Sequence, residues 1–250
     1  KKQLTTTDLF GDELHRYSLA DAINDGNVLG FDPYMVPTYA ESQLREVVAL
    51  DQAHAFSEEE ALNDPSKKKV YLHFMNEVPM AGKITDTEVY LKGIEDYIPD
   101  SQYNSDKHRK AVVEDIKNNW VRLSMNSKYH ALLATSSIPE AVGYYKLIKA
   151  EMPDLKVTCL FDPTDDNTSG GEWKEDAIVD MLQDYAEMFS MEPFKVSQYS
   201  KFKKDVSARL AHKEPYNDIE PKEQLNLLIV VNQMLTGYDS KWLNTLYLDK

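Results

Sequence analysis

A chain of 250 residues, 42% apolar and 28% charged, has globular composition and enough length for a sizeable core. Its net charge of −14 excludes a wholly basic nucleic-acid binder, because phosphate contacts dominate that kind of affinity, and leaves room only for a local basic strip. No apolar run reaches the roughly 18 residues of a membrane span, no basic-then-apolar leader opens the chain, and a single cysteine, Cys159, permits no internal disulfide; the expectation is a cytoplasmic protein with no membrane contact.

In chain order, Ser18 or Asp21 can cap a short helix over residues 19–24, which Asp25-Gly26 ends. Val28-Leu29-Gly30-Phe31 reads as a short strand closed by Asp32-Pro33. His15 has no partner His or Cys at metal spacing and reads as a histidine packed at a turn. Residues 42–54 carry helical spacing in Leu44, Val47, Val48 and Leu50. Glu58-Glu59-Glu60 and Lys67-Lys68-Lys69 read as solvated faces. Residues 70–75 fit a short strand or the start of a helix, and residues 85–97 a further helix through Val89, Leu91, Ile94 and Tyr97. The polar stretch 99–106 marks a boundary near residue 105.

Beyond it the pattern is regular. Helical spacing over 106–125 (Val112, Val113, Ile116, Trp120, Leu123) precedes an apolar run at 130–135 that ends in Thr135-Ser136-Ser137. A helix over 138–152, closed by Pro153, leads to a strand over 156–161 that contains Cys159, and a polar loop over 164–171 follows. Helices over 173–189 and 196–212 precede the unbroken apolar run at 226–231. A Thr236-Gly237-Tyr238-Asp239 turn and a last strand over 244–248 complete the series. Strands without polar alternation are buried on both faces, and their alternation with helices predicts an α/β fold with a parallel sheet and right-handed crossovers.

The common nucleotide and metal signatures are absent: no GxxxxGK[ST], no GxGxxG, no HExxH, no CxxC and no GxSxG occurs. Gly170-Gly171 reads as a turn, and Asp162, Asp165, Asp166 and Asn167 lack the alternating ligands and twelfth-position Glu of a calcium loop. No metal ligand set is expected. Two strand ends remain, since ligands of parallel sheets sit outside the carboxyl ends of the strands. Ser136 and Ser137 offer hydroxyls at a helix start, which suits a phosphate equally with an ordinary helix cap. Thr236, Gly237 and Asp239 offer a hydroxyl, close backbone approach and an acceptor, or else form a plain turn.

The order of these elements resembles part of the restriction (R) subunit of type I restriction–modification enzymes, ATP-driven DNA translocases of helicase superfamily 2. Three blocks carry the likeness: Phe10-Gly11-Asp12-Glu13-Leu14-His15-Arg16-Tyr17-Ser18-Leu19 with the helix after it, similar to the lead into the second motor lobe; Ala131-Leu132-Leu133-Ala134-Thr135-Ser136-Ser137, similar to motif IV; and Leu227-Leu228-Ile229-Val230-Val231 through Thr236-Gly237-Tyr238-Asp239 to Leu243-Asn244-Thr245-Leu246-Tyr247, similar to motif V. Tyr238 stands where that family usually has Phe. The resemblance implies a RecA-like fold, with residues 1–35 a connector from the first lobe, 36–105 a helical insert and 106–250 the second RecA-like lobe. It implies that Ser136, Ser137 and Thr236 hold DNA and that Gly237 and Asp239 face the nucleotide. In the whole enzyme the cofactors would be ATP and Mg2+. The partners would be double-stranded DNA, the first lobe and nuclease domain of the same subunit, and the methyltransferase and specificity subunits. Phosphate loop, metal carboxylate and arginine finger would lie outside these residues, so the chain alone is not expected to hydrolyse ATP or cut DNA. Another superfamily 2 helicase lobe fits the first block, and a non-catalytic module docking through residues 35–105 would show an apolar patch there.

Overall fold

The structure is a computed structural model; it describes residues 11, 16–28, 30–85, 89–162, 171–231, 238 and 240–249, without the side chains of 100 and 171–175. His15 and the loop 164–170 lie outside the described residues. The chain forms two compact units, Lys1–Val36 and Pro37–Lys250.

The first unit holds helix α1 (Leu19–Asn24). Both predicted caps act together: the Ser18 hydroxyl accepts from the Asp21 N–H while the Asp21 carboxylate accepts from Ser18, a reciprocal capping box. Gly26 then takes a left-handed φ of 72°, which lets its N–H reach the Ile23 carbonyl and the Asn27 N–H reach that of Ala22. The Val28 N–H bonds the same Ala22 carbonyl. That capping geometry consumes the donor a strand would need, and Val28, Gly30 and Phe31 form no strand, contrary to the sequence expectation.

In the second unit, α2 (Glu41–Gln52), α3 (Glu58–Asn63) and α4 (Pro65–Asn76) pack through Ala49, Ala53, Ala61 and Tyr71. The ambiguous residues 70–75 are helical because Asp64 caps α4 from the side chain and Pro65 supplies its first turn. The described residues of 85–97 form no α-helix. Strands β1 (Lys83–Ile84) and β2 (Tyr90–Leu91) pair antiparallel, and a 3-10 turn runs from Ile94 to Tyr97. Val89 and Tyr90 favour extended backbone. Gly93 passes so close to the main chain of 80–82 that any Cβ would sit 2.4 Å from the Met80 carbonyl oxygen.

The remaining elements are α5 (Asp106–Leu123), β3 (His130–Thr135), α6 (Ile138–Glu151), β4 (Val157–Leu160), α7 (Gly171–Met188), α8 (Tyr199–Ala211), β5 (Leu227–Val231) and β6 (Leu243–Leu248). The four strands predicted from sequence form one parallel sheet in the order β4-β5-β3-β6. Thr135 stands opposite Val231 at the carboxyl end and Ala131 opposite Leu227 at the amino end. Strands β3, β4 and β5 are buried throughout, whereas edge strand β6 alternates in exposure. The main core joins these strands to Ile116 and Trp120 of α5, Tyr144 and Ile148 of α6, Tyr185 of α7 and Phe202 of α8. The fold is α/β, consistent with a RecA-like arrangement, with a largely helical N-terminal portion.

Candidate functional site

Three neighbouring groups of polar residues surround the sheet. The first lies where β3 runs into α6. The Thr135 hydroxyl faces the Val230 carbonyl at 3.3 Å, which ties the last residue of β3 to the neighbouring strand. The Ser137 hydroxyl accepts from the Glu140 N–H at 3.4 Å and caps α6, so here the ordinary cap is made. Ser136 is exposed between them. The buried Glu140 sits in the first turn of α6, where a carboxylate is stabilised by the helix dipole, and its Oε1 takes a hydrogen bond from Arg109 at 2.7 Å. Arg109 also holds Asp106 at 2.6 Å; that bond foremost keeps the Asp106 carboxyl below its ordinary range. The helix start therefore carries its own anion and its own cation, and Ser136 is the hydroxyl left facing solvent.

The second group lies beside it and was not legible in the sequence. Asp249 follows β6, and its N–H extends the ladder to the Ala134 carbonyl. Its buried carboxylate takes a 2.6 Å bond from Nε2 of His108 on α5. His108 Nδ1 meets the Thr38 hydroxyl at 2.8 Å, and the ring lies parallel to that of Tyr39. Burial foremost, with the Asp249 carboxylate next, raises the nearby Tyr144 phenol far above its ordinary range. A bridging His inside a polar helix has no spacing signal of its own, which is why only the fold discloses it.

The third group sits at the amino end of the sheet. The first residue of β3, His130, donates its N–H to the Trp242 carbonyl, and its ring Nε2 lies 3.2 Å from the Tyr238 hydroxyl. Burial lowers the His130 imidazole to about 3, with a smaller push from His212. His212 stacks on Trp242 at 4.3 Å and keeps a left-handed φ of 49° at the end of α8.

Thr236, Gly237 and Asp239 lie outside the described residues, but Tyr238 does not. Its hydroxyl lies beside the His130 ring, at the first residue of β3. Among the described residues no group of three or more His, Cys, Asp or Glu could hold a metal. Among them, too, no helix is long and apolar enough to cross a membrane. Cys159 is buried and free.

A four-stranded parallel sheet with helices packed on it defines the α/β class. Within that class the sequence is specific. Residues 127–250 match the family model described as type I restriction enzyme subunit R domain 3. Over 98% of its length the chain is 28% identical to the type I restriction enzyme SauCOLORF180P endonuclease subunit of Staphylococcus aureus strain COL. It is 29% identical to the SauMRSORF196P endonuclease subunit of strain MRSA252, and 28% identical to the SsaAORF53P endonuclease subunit of Staphylococcus saprophyticus. In each case the chain spans 22% of the relative's length. The chain is thus similar, over nearly its whole length, to the restriction (R) subunits of type I restriction enzymes.

Proposed function

We propose that this chain is the second motor lobe of an ATP-dependent DNA-translocating restriction subunit, covering residues 106–250, with 1–35 as the connector from the first lobe and 36–105 as an insert. One observation carries the reading. The block that ends in Thr135-Ser136-Ser137 and the block Leu227–Val231 are adjacent parallel strands in register, and the Leu243–Leu248 strand flanks the first on its other side. The segments that resemble motor motifs are thereby joined in one sheet.

In this reading Ser136, Ser137 and Thr236 meet the DNA backbone, and Gly237 and Asp239 face ATP and Mg2+ held mainly by the first lobe. Such backbone contacts carry no sequence information, as a translocase requires. Ser136 is the stronger of the two serines, since Ser137 already caps α6. The whole subunit would act on double-stranded DNA, together with methyltransferase and specificity subunits, in the cytoplasm. ATP turnover needs groups from two lobes, so the chain alone is expected to be inactive as an ATPase and as a nuclease.

The test is Thr236→Ala and Asp239→Ala in the full-length subunit, read by ATP-driven translocation and DNA cleavage. Loss of translocation with intact subunit assembly is the expected result; undiminished translocation in both variants overturns the site. DNA-dependent ATP turnover by the purified 250-residue chain would overturn the two-lobe requirement.

A further inference from the structure

Residues 195–213 invert the charge of the molecule. They contain Lys195, Lys201, Lys203, Lys204, Arg209 and Lys213 against the single carboxylate of Asp205, in a chain whose net charge is −14. Helix α8 sorts these residues by face. Tyr199, Phe202, Val206, Arg209 and Leu210 are buried, and Arg209 is consumed internally by the Tyr185 and Tyr216 hydroxyls and the Glu223 carbonyl. Lys201, Lys203, Lys204 and Lys213 are exposed. None of the four forms an ion pair among the described residues.

The outer face of α8 borders a groove of about 520 Å³. Ser200, Ser207, Ala208 and Ala211 line it together with Lys203, Lys204, Lys213 and Tyr238. Among the described residues, no carboxylate lines it. Small side chains among exposed lysines let a polymer backbone lie close to the helix while the ammonium groups reach its charges. At the end of the helix the stacked His212–Trp242 pair and Lys241, whose Nζ stands 5.3 Å from the Trp242 ring centre, continue the basic and aromatic character. A 13-residue helix is about 20 Å long, and one strand of a duplex carries a phosphate about every 3.4 Å of axis. The helix is thus long enough to follow several consecutive phosphates.

We infer that the α8 groove, through Lys203, Lys204 and Lys213 beside Tyr238, is a track for the phosphodiester backbone of duplex DNA. This rests on the motor-lobe reading for the identity of the polyanion, and it adds a contact surface separate from Ser136, Ser137 and Thr236. The probe is a fluorescein-labelled duplex of about 25 base pairs and arbitrary sequence, bound by the 250-residue chain without ATP and followed by anisotropy across a salt series. Each phosphate contact contributes about 0.9 to the slope of log K against log salt. Joint Lys203→Ala, Lys204→Ala and Lys213→Ala replacement should flatten the slope by about 2 to 3 and weaken binding equally for unrelated duplexes. Joint Lys→Arg replacement at the same three positions should keep it, and Lys222→Ala, whose lysine pairs with Glu220, should leave it unchanged. No binding at low salt, an unchanged slope in the triple alanine variant, or equal competition by a polyglutamate of matched charge overturns the inference. The two readings fail separately. A groove effect with translocation indifferent to Thr236 and Asp239 keeps the track and removes the motor site; the reverse keeps the motor site alone.

Discussion

The buried imidazole of His130 makes a pH-dependent contribution to stability that can be worked out from its setting. The residue is 4% exposed at the first position of β3, with the Tyr238 hydroxyl 3.2 Å from Nε2. Burial holds its pKa at about 3 in the folded state, against roughly 6.5 in an unfolded chain. As pH falls through 6.5, the unfolded chain takes up a proton that the folded chain refuses, so stability is lost by up to about 1.4 kcal/mol per pH unit. Between pH 6.5 and 4.5 the loss from this group is about 2 kcal/mol. The perturbation is His130→Leu, and the assay is urea unfolding followed by tryptophan fluorescence at pH 6.5, 5.5 and 4.5. The variant loses the Tyr238 contact, a roughly constant offset, but its stability should fall by about 2 kcal/mol less across the window. Carboxyls held below their ordinary range, such as Asp106, are common to both proteins, so they cancel. His212, also lowered by burial and by Lys241, is retained in both and adds in the same direction. Equal pH slopes in the two proteins would refute the reasoning.

Ser137→Ala should cost about 1 kcal/mol by removing the cap of α6, while Ser136→Ala should stay within about 0.5 kcal/mol; denaturant midpoints distinguish them, and equal losses would contradict the cap assignment. Asp249→Ala leaves His108 buried without its partner and should destabilise by about 2 to 4 kcal/mol, with Asp249→Asn, which keeps an acceptor, costing clearly less; thermal unfolding checks both. Burial pushes the Cys159 thiol far up, so a thiol reagent should label native protein no faster than the protein unfolds. Rapid labelling under native conditions would contradict the buried position of β4.

The sheet was legible because its strands are unbroken apolar runs bounded by turn residues. Leu227–Val231 has no polar member, which suits a strand with neighbours on both sides and helices over the sheet. The failures share a cause: local pattern competes with capping and close packing. Val28 reads as a strand residue, yet its N–H caps α1. Residues 85–97 show apolar residues at helical spacing, yet Gly93 must pass against the backbone of 80–82. The cap at Ser137 was legible because it lies at the junction of a strand and a helix in one stretch of sequence. The His108–Asp249 pair joins residues 141 positions apart, and no periodicity encodes such a contact. The basic strip was permitted by composition, but only α8 shows which lysines share a face and which cation, Arg209, is used inside.

The acidity of the whole and the basicity of one helix are compatible because electrostatic range depends on salt. At physiological ionic strength the screening length is about 8 Å. Carboxylates spread over the rest of a chain of net charge −14 are then largely hidden from a strand lying on α8, whereas an ammonium in contact with a phosphate is not. The distributed negative charge opposes adsorption elsewhere on the surface, and the exposed lysines decide where a polyanion can rest. A grip of this kind is made of few contacts and is weak taken alone. That suits one lobe of a machine that must release and re-engage a backbone repeatedly, since each of a few exposed lysine contacts can break without uncovering a buried charge.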